Sequence, residues 1–134
     1  MNITQKLHDL GQSLWLDNIT REILDDGTLR RYIDELSVTG LTSNPTIFDE
    51  AIGKTAAYDA GIRQKAQAGL SGEDLFVELA LEDLRRAADL FRPVFDRTQG
   101  IFRQFSLSRP FTFRQRVVFS FKDSVVYSDI DTCV

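Results

Sequence analysis

The apolar positions of this chain change period several times, and each change predicts an element. Leu14-Trp15-Leu16 is a short continuous apolar run ended by Asp17, as expected of a strand buried on both faces. Leu29, Tyr32, Ile33 and Leu36 then recur at i, i+3, i+4, i+7, the apolar face of a helix that Thr28 is placed to cap after the turn residue Gly27. A second strand is predicted from about Ser37 to Thr42. A polar knot follows it, Thr42-Ser43-Asn44-Pro45-Thr46. Asn44 precedes proline and is pushed extended, while Pro45 suits the first turn of a helix because its missing N–H would be unpaired there anyway. The knot is therefore predicted to be a strand-to-helix loop.

Further on, Tyr58, Ile62 and Ala66 predict a modest helix weakened by Gly61. Ser71 and Asp74 have the spacing of a capping box that opens a stronger helix. Its inner face is Phe76, Leu79, Ala80, Leu84, Ala87, Ala88 and Phe91, with Pro93 shortly after its expected end. Glu82-Asp83 and Arg85-Arg86 read as its solvated face. Trp15, Phe48, Phe76 and Phe91 are expected in the core, and His8, on a short N-terminal helix with Leu7 and Leu10, at the surface. Strand, helix, strand, helix is the order of βαβ units, whose parallel strands place their C-terminal loops on one edge. Asp17 and Asn44 are expected to share that edge. In such positions Asp and Asn serve as turn formers and N-caps as well as in chemistry, so periodicity alone leaves both roles open.

Composition divides the chain near Gly100. Residues 1–100 carry 11 Lys+Arg against 17 Asp+Glu, residues 101–134 carry 5 against 3, and every alanine, glycine and glutamate lies in the first part. Six of the 10 phenylalanines crowd into the second. Two units are expected, 1–100 and 101–134. The alternation in "RQRVVFSFKDSVVYSD" fits a hairpin. The aromatic and basic residues of "FRQFSLSRPFTFRQRVVFSF" also suit base stacking, but a net charge of -4 argues against a nucleic-acid binder. The N-terminus lacks a basic start followed by an apolar run, no apolar stretch has the length of a membrane span, and Cys133 is the single cysteine. A cytoplasmic protein without membrane or nucleic-acid partners is expected.

"SLWLDNITREIL", "TGLTSNPTIFDEAI" and "ELALEDLRRAADLFRPVFDRTQG" closely resemble the N-terminal part of transaldolase in its longer bacterial form, over residues from about 5 to 100. The resemblance implies an α/β fold, the N-terminal portion of a (β/α)8 barrel with about two of its strands, hence incomplete. It implies transfer of a dihydroxyacetone unit from a ketose phosphate, sedoheptulose 7-phosphate or fructose 6-phosphate, to an aldose phosphate in the pentose phosphate pathway. A lysine Schiff base carries that unit, sugar phosphates are the partners, and neither metal nor organic cofactor takes part. By the same resemblance Asp17 is the general base and acid for the substrate hydroxyl, and Thr42, Ser43 and Asn44 line the sugar pocket, Asn44 holding the dihydroxyacetone unit by hydrogen bonds.

After Gly100 the chain departs from that family. A third strand resembling Ser-Leu-Glu-Val-Ser-Pro and a fourth carrying Lys-Ile-Pro-Ala-Thr are expected and do not follow. Ser106-Leu107 stands where Ser-Leu belongs, but Ser108 replaces the glutamate, and none of Lys6, Lys54, Lys65 and Lys122 has the context of the Schiff-base lysine. The alternative is a catalytically inactive fragment from a frameshifted or truncated transaldolase gene.

Overall fold

The computed structural model describes residues 2–43, 45–97, 105–107, 117–121 and 124–128. Along the chain these form α1 (Ile3–Asp9), β1 (Leu14–Asp17), α2 (Arg21–Asp25), α3 (Thr28–Leu36), β2 (Val38–Ser43), α4 (Pro45–Lys54), a 3-10 turn (Ala56–Tyr58), α5 (Asp59–Gln67), α6 (Gly72–Arg97) and three further strands, β3 (Phe105–Leu107), β4 (Val117–Phe121) and β5 (Ser124–Ser128). The fold is mixed α/β, mostly helical, with a short parallel sheet.

That sheet has the order β1-β2-β3. β1 pairs parallel with β2, Leu16 opposite Leu41 and Asp17 opposite Thr42, and the register slips between Leu14 and Trp15. β2 pairs parallel with β3, Thr42 opposite Ser106 and Ser43 opposite Leu107. The expected count of two strands is thus corrected to three. Three residues suffice for the third because β2 already offers a free backbone edge, and a strand joins by main-chain hydrogen bonds whatever its side chains. In the tail, β4 and β5 form an antiparallel hairpin, from Val117 opposite Ser128 to Phe121 opposite Ser124, in line with the alternation of apolar positions there.

The core lies on one side of the parallel sheet. Leu41, Ile19, Leu29 and Phe48 are fully buried and cluster with Ile33, Val38, Leu84, Ala87, Phe91 and Val94, so α2, α3, α4 and α6 cover this face. Period-two alternation sends Trp15, Asp17, Gly40 and Thr42 to the other face. Trp15 is 38% exposed there, which corrects its expected place in the core and the expected burial of β1 on both faces. Its ring lies directly over the Gly40 backbone, where a Cβ would stand 2.7 Å from ring carbons, so only glycine admits the contact.

Three further expectations change. Gly27, not Thr28, is the N-cap of α3, and Asp26 Oδ1 accepts the Thr28 N–H at 2.8 Å. Pro93 lies inside α6 rather than beyond it. It falls within the last turns, where one lost hydrogen bond leaves little helix to disrupt, and its ring points to solvent. Asp83, read as part of a solvated face, is fully buried. α4 begins at Pro45 as the sequence predicts.

Candidate active site

The C-terminal edge of the parallel sheet gathers the polar groups. Asp17 ends β1 and Thr42 stands opposite it on β2, so their side chains leave the same face side by side. Thr42 Oγ1 donates to Asp17 Oδ1 at 2.6 Å, short enough for a charge-assisted bond to a carboxylate. Asp17 is exposed and Thr42 half-buried, so the pair is reached from solvent.

Ser43 has the opposite parity. It is 1% exposed, on the helix-covered side with Leu41, and its Oγ is buried without a hydrogen-bond partner among the described residues. Of the residues picked from the sequence, then, Asp17 and Thr42 are brought together, Ser43 backs onto the core, and Asn44 lies outside the described residues. Ser108 and Lys122 lie outside them as well.

A buried network fastens the loop after Asp17. Arg21 opens α2 only four residues on, under the N-cap Thr20, whose side chain accepts from Ile23 N–H. The Arg21 backbone N–H donates to Tyr58 Oη at 2.9 Å, and Tyr58 Oη in turn donates to Asp83 Oδ2 at 2.7 Å. Arg21 Nε donates to Asp83 Oδ1 at 2.9 Å and Nη2 to Glu82 at 3.0 Å, while the guanidinium carbon sits 4.7 Å from the Tyr58 ring centre. Glu82 also holds Lys65, at 2.6 Å. Gly61 makes room for this: a Cβ there would stand 2.9 Å from Arg21 Nη1 and from Leu79 Cδ2. The glycine that weakens α5 as a helix is what lets it approach the guanidinium.

Burial drives the electrostatics of the network. Desolvation pushes the Asp83 carboxyl above the ordinary carboxylate range, with the donors Tyr58 and Arg21 pulling it back. Burial likewise raises the Tyr58 phenol, and its bond to Asp83 adds to the rise. For Arg21, burial opposes the charge, yet Asp83 and Glu82 outweigh it and its pKa is raised. For Glu82, burial works upward, but Lys65 and Arg21 hold the carboxyl below its usual range. Sequence reasoning passed over Asp83, although a signal was present: it lies four residues after Leu79 and four before Ala87, on the apolar stripe of α6.

A model of the transaldolase/fructose-6-phosphate aldolase family matches residues 14–108. The chain belongs to that family. The match starts at the first residue of β1 and runs past Gly100 to take in β3. The chain is 34% identical to a transaldolase of Trichodesmium erythraeum over 122 residues, 91% of this chain and 32% of that protein. It is 45% identical to a transaldolase of an Arthrobacter species over 98 residues, 73% of this chain and 26% of that protein. A transaldolase 2 of Nostoc punctiforme is 36% identical over 105 residues, 78% of this chain and 28% of that protein. The chain thus spans about a quarter to a third of the length of these relatives. Among the described residues no helix is long and apolar enough to cross a membrane.

Proposed function

We propose that this chain carries the acid–base edge of a transaldolase site, on the first strands of a (β/α)8 barrel. The observation that carries the reading is the Thr42–Asp17 hydrogen bond of 2.6 Å at the C-terminal edge of a parallel sheet, inside the segment that matches the family. The strand order β1-β2-β3 supports the barrel: a singly wound sheet adds each strand beside the last, whereas a doubly wound one reverses direction. Helices on one face only fit the same geometry.

In this reading a dihydroxyacetone unit passes from a ketose phosphate to an aldose phosphate in a cytoplasmic sugar-phosphate pathway. Asp17 takes the proton from the hydroxyl next to the bond being cleaved and returns it when the second aldehyde adds. Thr42 holds the carboxylate in line through its hydroxyl. Asn44, two positions further on, binds the sugar hydroxyls, and Ser43 forms the wall behind them. Residues 1–100 supply the first two strands of the barrel unit, β3 from the following segment joins their sheet, and the remainder of 101–134 acts as a tail.

A second reading, a catalytically silent fragment, is favoured by the lysines. A Schiff base needs an uncharged amine aimed at the ketone. Lys6 lies on α1, while Lys54 pairs with Glu50 and Lys65 with Glu82, each on a helix rather than at the strand edge. Incubation with fructose 6-phosphate and borohydride followed by mass measurement separates the two. A stoichiometric reduced adduct assigns the full reaction to this chain; an unchanged mass assigns it the silent role.

A further inference from the structure

At the opposite end of the sheet from Asp17 and Thr42, α1, α3, α6 and the start of β2 enclose a cavity of about 320 Å³. That volume is at the lower end of small-molecule sites. It lies where strands begin, away from the proposed sugar edge, and none of the chemistry above uses it.

Part of its polar wall is already committed. Ser37 Oγ donates to Gln5 Oε1 at 2.6 Å, Gln5 Nε2 donates to Asp9 Oδ1 at 2.8 Å, and Thr39 Oγ1 donates to the Leu14 carbonyl at 3.3 Å. Two lining cations are not. Arg30 on α3 and Arg97 at the end of α6 enter none of the ion pairs among the described residues. Asp34, the carboxylate of the lining, stands at i+4 from Arg30, the spacing at which such pairs form on a helix, yet the two are not paired. The carbonyl ends of α3 and α6 oppose an anion here. On α3 that opposition is reduced, since Asn2 Nδ2 donates to the Glu35 carbonyl and the Ser37 N–H to the Tyr32 carbonyl. Ser37 is also the one non-glycine residue in the left-handed region among those described, φ 55°, at the rim of the cavity.

We propose that this cavity is a binding site for a phosphoryl dianion, held between the guanidiniums of Arg30 and Arg97. Guanidinium presents paired N–H donors that match phosphate oxygens, and two of them from different helices bridge α3 to α6. Free phosphate and the phosphoryl group of a sugar ester share this chemistry.

The test is a titration of the full chain with inorganic phosphate, followed by amide NMR at constant ionic strength, with chloride as the matched control. Saturable shifts centred on Arg30, Ser37 and Arg97 are expected, and Arg30→Gln and Arg97→Gln each weaken affinity by about tenfold or more. Both arginines are exposed, so the variants keep the fold, and circular dichroism verifies it. A second arm with fructose 6-phosphate separates the sources: shifts at the arginines alone identify the phosphoryl group, and additional shifts at Thr42 report the other edge of the sheet independently. Linear shifts spread over the basic surface, equal shifts in chloride, or unchanged affinity in both variants would overturn the proposal.

Discussion

Tyr58 donates its hydroxyl proton to Asp83 Oδ2 at 2.7 Å, and Asp83 has no exposed surface at all. The bond joins the turn before α5 to the middle of α6. Because the same hydroxyl accepts the Arg21 N–H, it also fixes the start of α2 just beyond Asp17. Tyr58→Phe removes one oxygen and leaves two buried partners, an N–H and a carboxylate oxygen, unsatisfied. A loss of about 1–3 kcal/mol is expected, read as a lower urea midpoint at unchanged slope. Asp83→Ala leaves the Arg21 guanidinium without its fully buried counterion and costs about 3–5 kcal/mol.

Alkaline titration gives a second check on the same residue. Burial and Asp83 raise the Tyr58 phenol, so it stays protonated where ordinary tyrosines ionise. A group raised on folding contributes stability that is complete below its unfolded pKa and is lost as pH rises through the folded one. The Tyr58 phenolate, read as the absorbance difference between the native chain and Tyr58→Phe, should therefore stay missing through the ordinary tyrosine range until unfolding releases it. Ionisation of Tyr58 in that range without unfolding would contradict the network.

At the acid end the sign reverses. Glu82 and Asp26 are held below the usual carboxylate range, Glu82 by Lys65 and Arg21 against its burial, Asp26 by the Thr28 N–H. Their contributions are present above the ordinary carboxylate pKa and are lost as pH falls through and below it. Asp83 acts oppositely, since a raised carboxyl favours the folded state as it protonates. Thermal unfolding measured down to low pH should show the loss, and Glu82→Gln should flatten it.

Backbone conformation at Ser37 makes a separate case. With φ at 55° the residue sits where glycine is preferred, while its hydroxyl bonds Gln5. Ser37→Gly removes both the strain and the bond and should leave stability within about 1 kcal/mol. Ser37→Ala keeps the strain, loses the bond, and should be the less stable of the two by about 0.5–1.5 kcal/mol. The order of their melting temperatures decides the point.

The elements with a strong period were legible from the residues themselves. The Leu29–Leu36 stripe does bury Leu29 and Ile33, and Pro45 opens α4 because a proline, lacking an N–H, is favoured in a first turn. Asp17 stands at the C-terminal edge as expected, with Thr42 across from it, while Asn44, expected to share that edge, lies outside the described residues. What escaped sequence reading was set by partners far along the chain. Asp83 meets Arg21 across 62 positions and Tyr58 across 25, so its place on the apolar stripe of α6 hints at burial while the partners that permit it are invisible locally. Trp15 looked like core because local hydropathy does not tell which face the helices cover. β3 was missed because three residues carry no period, and only the free edge of β2 gives them a place.

The central claim, that Asp17 and Thr42 form the acid–base edge of a sugar site, is tested most directly by titrating dihydroxyacetone into the full chain and following the Asp17 carboxyl carbon and the Thr42 methyl by NMR. A saturable change at both is predicted; the Thr42 methyl stops responding in Asp17→Ala, and the Asp17 carboxyl responds about tenfold more weakly in Thr42→Val, which keeps the shape but not the donor. The account would be contradicted by signals that do not move in the parent chain, or by a remaining reporter that titrates unchanged in either variant.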